Sequence, residues 1–226
     1  AILSVFGVSV QNGQIIELTE ERAVSTSPNV FNPQVSSAHP ITSDIYSSNG
    51  RVWIAYSSRL QFKSDEELTS LGVEREDLLT STEESIFVTD LSQSLEAALQ
   101  TAEKGSSVVA SILSKSVTKT NEEGENINDT AKLLLSASGS YITNYLVEDL
   151  SKTVPLAYAE NNKDFAINSI ANLADKEGLT IRKEITSSTY VPTESQITIV
   201  STIIFGTPLV IIAVGFIIWG YRKKRK

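Results

Sequence analysis

The sequence contains no cysteine. Disulfide frameworks, Cys-ligated zinc, iron–sulfur clusters and thiol nucleophiles are therefore excluded together. Methionine is absent too, so the chain reads as a processed product or a piece of a longer protein. Histidine occurs once, as His39, which leaves a single imidazole for base catalysis or metal ligation. Basic charge is scarce until the end of the chain. Net charge is −8, and setting aside the five terminal cations leaves 14 Lys and Arg against 27 Asp and Glu, a balance of −13. An acidic body with a basic tip argues against a nucleic-acid partner, because phosphate contacts need a basic face. At 41% hydrophobic and 20% charged residues, the 226-residue chain is neither disordered nor collagen-like.

Catalytic signatures are equally scarce. There is no GxxxxGK[ST], so the chain is not itself an ATPase of the P-loop type, and neither a strand-borne GxGxxG nor an HExxH occurs. Gly139–Ser140 lacks the flanking glycines of a nucleophile elbow. His39, ahead of Pro40 in a Ser/Pro-rich stretch, reads as a turn residue, and a surface hydrolase using it is the lesser alternative. The acidic clusters Asp65–Glu67, Glu74–Asp77, Glu83–Glu84 and Glu122–Glu125 lack the spacing of a calcium loop and read as solvated faces. Asn128–Asp129–Thr130 is a glycosylation sequon, a pattern that also arises by chance. No catalytic residue, metal or cofactor is expected.

What is present is a membrane segment. Ile197 to Gly220 is a run of 24 residues without a charge. As a helix it would be roughly 36 Å long against a hydrocarbon core of about 30 Å, enough to span with some tilt or bend. Trp219 and Tyr221 stand where the apolar run meets water, the usual station of amphipathic rings. Arg222, Lys223, Lys224, Arg225 and Lys226 follow without interruption. Five cations beside a spanning helix place the C-terminus in the cytoplasm and the body outside it. These seven residues are the expected anchor, the cations holding anionic headgroups of the inner leaflet. Gly206, Ala213 and Gly220 recur at heptad spacing, a small-residue face on which another helix can pack.

Upstream of the anchor, residues 1–185 read as one extracytoplasmic α/β domain, and 186–196 as a polar linker before the spanning segment 197–220 and the tail 221–226. Strands are expected at AILSVFGVSV (1–10), QIIEL (14–18), 51–62, within 77–90, at 106–114, KLLLSAS (132–138) and LTIRKEI (179–185). Residues 19–50 read mostly as loop, and 115–130 as a hairpin tip or a loop. Helices are expected at 65–71, after Ser64 with Glu67 in capping-box spacing, at 90–102 after Asp90, at 141–150 and at 162–177. The continuous apolar run KLLL favours a parallel sheet covered on both faces. The expected fold class is thus an α/β layered sandwich with a mostly parallel sheet, followed by one C-terminal transmembrane helix.

The order of these segments resembles the extracytoplasmic auxiliary subunits of gliding-motility-type (GldG-like) ABC transporters. KDFAINSIANLADKEGLTIRKEI (163–185) is similar to that family's helix–strand unit ahead of its linker, spanning helix and basic tail. KLLLSASGSYITNYL (132–146), HPIT (39–42), RVWIAYSSRL (51–60), DLLTST (77–82) and LSVFGVSVQNGQIIE (3–17) resemble further stations in the same order. The resemblance implies that the chain is the C-terminal portion of a larger protein, with an earlier membrane helix and the first half of the domain preceding it. It also implies a non-catalytic role beside a multispanning ABC permease and a cytoplasmic ATPase. A receptor or adhesin ectodomain without a transporter is the alternative. The low aromatic content, 7%, gives no evident aromatic ligand platform.

Overall fold

The computed structural model describes residues 2–24, 28–120, 124–149 and 152–175. The chain divides into two units, Ala1–Thr180 and Ile181–Lys226, and all described residues lie in the first. The opening apolar run is not one strand. It starts as a helical turn, α1 (Ile2–Val5), and becomes β1 (Val8–Gln11) beyond Gly7, whose φ of +67° favours a residue without Cβ. β2 (Gln14–Ile16) follows the Asn12–Gly13 turn. The stretch read mostly as loop holds β3 (Val30–Phe31), β4 (Gln34–Val35) and the helix α2 (Pro40–Ser47). The strand expected over 51–62 is split into β5 (Ile54–Ala55) and β6 (Arg59–Phe62), because Tyr56 takes φ +51° and leaves extended geometry.

Ser64 starts α3 (Asp65–Ser70) with both capping-box hydrogen bonds made, as its spacing from Glu67 predicts. β7 (Val73–Thr80) and β8 (Ile86–Val88) come next. α4 (Leu95–Thr101) is shorter than its apolar pattern and is capped by Ser94. Asp90 instead closes a local turn by accepting from the Ser92 N–H and hydroxyl. After β9 (Glu103–Lys104), residues 115–120 and 126–130 of the polar stretch pair as the outer half of the ladder between β10 (Val108–Thr120) and β11 (Asn126–Ser136). The helix expected at 141–150 is replaced by a 3-10 turn at Ser140–Ile142 and a hairpin of β12 (Leu146–Asp149) with β13 (Lys152–Pro155). α5 (Asn162–Leu173) is the last described element.

The expected fold class is corrected in strand direction. Every strand pair among the described residues is antiparallel, so there is no mostly parallel α/β sandwich. The main sheet runs β1-β6-β10-β7-β4, with β11 also paired to β10. The reason lies in what a continuous apolar run reports. Along β10, Ile112 joins a core with Ile41, Ile45 and Phe165 of α2 and α5, whereas Leu113 joins one with Phe6, Leu60 and Leu68. Leu134 follows Ile112, and Leu133 and Leu135 follow Leu113. Side chains alternate between two covered faces, and two covered faces say nothing about whether neighbours run parallel.

Among the described residues no helix is long and apolar enough to cross a membrane. The expected strand 179–185, the linker 186–196, the spanning segment 197–220 and the basic tail lie outside the described residues.

Candidate functional site

Three stretches far apart in sequence meet where α5 begins. Asn162 is fully buried. Its Oδ1 accepts from the Trp53 N–H at 2.7 Å, while its Nδ2 donates to the carbonyls of Trp53 and Leu156, each at 2.8 Å. Asn161 does the same one step earlier: its N–H donates to the Arg51 carbonyl, and its Oδ1 accepts from the Arg51 N–H. Gly50 has to be glycine for this reason, since a Cβ there would lie 2.4 Å from Asn161 Oδ1. Two amide side chains thus supply main-chain partners to Arg51 and Trp53, just ahead of β5.

The next residues are gripped from the other side. Ser140 Oγ accepts from the Ala55 N–H at 2.9 Å, and Ser138 Oγ donates to the Ala55 carbonyl at 2.8 Å. The small residues SASGS therefore serve as main-chain clamps. Ser140 is not set up as a nucleophile, because its oxygen is occupied by Ala55 and by Ser138 Oγ at 2.8 Å.

Between these clamps and Ser57, whose carbonyl accepts from the Ile15 N–H, the chain is forced through Tyr56 with positive φ. A bulky residue there is strained. Its ring projects outward, 52% exposed, and meets Tyr145, 42% exposed, edge to face at 5.6 Å between centroids. The two hydroxyls lie 2.9 Å apart. The Tyr145 phenol is pushed up, first by its hydrogen bond to Tyr56 and then by burial. Ile142 and Leu146 beside it in sequence are also exposed. Few aromatics are present, but two of them are paired on the surface. No protein-family model, curated protein or solved structure matches this chain.

His39 is placed as a cap. Its Nδ1 accepts from the Ile41 N–H at 3.1 Å at the start of α2, with Pro40 in the first helical position. Its carbonyl accepts from the Thr42 hydroxyl. Burial pushes the imidazole pKa down, Glu76 opposes that shift and Lys132 reinforces it. With Nδ1 accepting a main-chain N–H, the neutral ring carries its proton on Nε2. Beside α2, a cleft of about 250 Å³ is lined by Asp44, Ile45, Ser48, Asn161, Asp164 and Asn168. Among the described residues no group of three or more metal-ligating side chains forms.

The buried acid Glu17 is a structural clamp. Its carboxylate accepts from the N–H groups of Thr19 and Thr82 and from the Thr82 hydroxyl, at 2.7–3.1 Å. The expected anchor residues Trp219, Tyr221 and Arg222 to Lys226, and the packing residues Gly206, Ala213 and Gly220, lie outside the described residues. Asn162, Ser138, Tyr56 and Tyr145 were not singled out as site residues by motif. The one sequence signal available for them is a pair of asparagines directly ahead of a helical pattern, where side chains favour capping and main-chain bonds.

Proposed function

We propose that the chain is a membrane-anchored, non-catalytic auxiliary subunit of an ABC transport system. The observation that carries this reading is the end of the sequence: 24 uncharged residues, then Tyr221, then five cations, all behind an acidic body. That arrangement holds the body outside the cytoplasm, away from ATP. The outer domain binds substrate or a partner protein, and the spanning helix packs on the permease through Gly206, Ala213 and Gly220. Each tail cation contributes about 1 kcal/mol of attraction to an anionic inner leaflet.

Two further points support the reading. Three of the segments that resemble the transporter subunits are tied together: 51–60 to α5 through Trp53, 132–146 to 51–60 through the bonds of Ser138 and Ser140 with Ala55, and 39–42 to α5 through the Ile41 carbonyl, which accepts from Asn168 Nδ2. The one imidazole is used as a helix cap, which fits a subunit whose role is binding.

The test is affinity isolation of the full chain from gently solubilised membranes. Co-purification of a multispanning permease and an ATPase is the expected result. Repeated recovery of the chain without either overturns the transporter reading and favours a free-standing surface receptor.

A further inference from the structure

The outer edge of β7 is open where β4 stops. β4 pairs with β7 only at Leu79 and Thr80, and the Ser36 N–H adds one bond to the Leu78 carbonyl. Among the described residues no strand lies against the outer edge of residues 73–77. α3 stands beside that edge, with Leu68 and Val73 in one apolar cluster. Between helix and edge runs a groove of about 580 Å³, lined by Asp65, Leu68 and Thr69 on one side and Val73, Glu74 and Asp77 on the other.

The groove is negative. Arg75, its one cation, gives two N–H bonds to Asp77 at 2.8 and 2.5 Å and lies 3.8 Å from the Phe62 ring centroid. No ion pair among the described residues engages Asp65 or Glu74.

We propose that this groove takes an extended, cationic peptide segment of a protein partner, which joins the sheet as a strand beside β7. An open edge offers unpaired N–H and C=O groups as a template, and a neighbouring helix makes it a slot. Glu74, Glu76 and Asp77 discourage a second copy of the same strand, because like charges would face each other across the pair. A strand alternating lysine with valine reverses that. Its valines lie on the side of Leu68 and Val73, and its lysines on the side of Glu74 and Glu76. This binding depends on the groove alone, so it stands or falls separately from the transporter reading.

The probe is a fluorescein-labelled peptide, acetyl-Lys-Val-Lys-Val-Lys-Val-Lys-amide, titrated by anisotropy against the full chain in zwitterionic detergent micelles. Saturable binding is expected, with slowed amide exchange confined to residues 73–77. N-methylation of every backbone amide keeps the charge and removes the pairing, and weakens binding about tenfold or more. Glu74→Lys, a change at an exposed position that leaves the core untouched, weakens it by about the same factor. Equal binding of the N-methylated peptide, no saturable binding, or protection at another strand would overturn the proposal.

Discussion

Asn162 holds the main chain of Trp53 from 109 residues away, accepting its N–H and donating to its carbonyl. The relationship resembles a base pair between a side chain and a strand, and it fixes where α5 meets β5.

Replacing Asn162 removes three buried hydrogen bonds and strands their main-chain partners. Asn162→Ala is expected to destabilise the domain by about 3 kcal/mol, at the upper end for a single buried polar group. Asn162→Asp keeps the acceptor but loses both donors, and is expected to cost nearly as much. Urea midpoints of the full chain in micelles check both; a loss below about 1 kcal/mol for Asn162→Ala would show the latch to be dispensable.

His39 makes stability depend on pH. Its folded pKa lies below the ordinary histidine value because burial disfavours the charged ring. The unfolded chain therefore binds more protons, and the stabilisation is complete above the unfolded pKa of about 6.5 and lost as pH falls below it. Protonation of Nδ1 also removes the acceptor that caps α2. His39→Asn keeps a cap acceptor without titrating, so the difference between wild type and variant is expected to narrow or reverse from pH 7.5 to pH 5.5. A difference that stays constant across that range would contradict the assignment.

Tyr56 tests the strain. At φ +51° a Cβ costs energy that glycine avoids. Both Tyr56→Gly and Tyr56→Ala lose the ring contact with Tyr145, so their difference isolates the backbone. Tyr56→Gly is expected to be more stable than Tyr56→Ala by about 1 kcal/mol; the reverse order would mean that the residue relaxes to negative φ in solution.

Local signals were readable in the sequence, and long-range pairings were not. The Ser64–Glu67 capping box, the Asn12–Gly13 turn and the helix from residue 162 each depend on neighbours within four positions. α2 carries little local signal, because its cap is a histidine rather than a hydroxyl or carboxylate residue and Pro40 alone marks its start. Leu91, Leu95, Ala98, Leu99 and Ala102 share a helical spacing, but only Ala98 among them is buried. Spacing shows that a face exists and leaves open what covers it. The split of 51–62 at Tyr56 had no local cause: it is imposed by Ser138, Ser140 and Asn162, whose approach depends on pairings more than 80 residues apart. Sheet direction failed likewise, since apolar runs record burial on each face and not the polarity of a neighbour.

The absence of cysteine makes one measurement direct. Ser37, exposed on the folded domain, and Lys226 can each be replaced by cysteine as the sole thiol. Intact cells are then treated with a membrane-impermeant maleimide. Ser37→Cys is predicted to label at once, and Lys226→Cys only after the membrane is permeabilised. Labelling of Lys226→Cys in intact cells, or protection of Ser37→Cys, would contradict an anchored domain facing away from the cytoplasm.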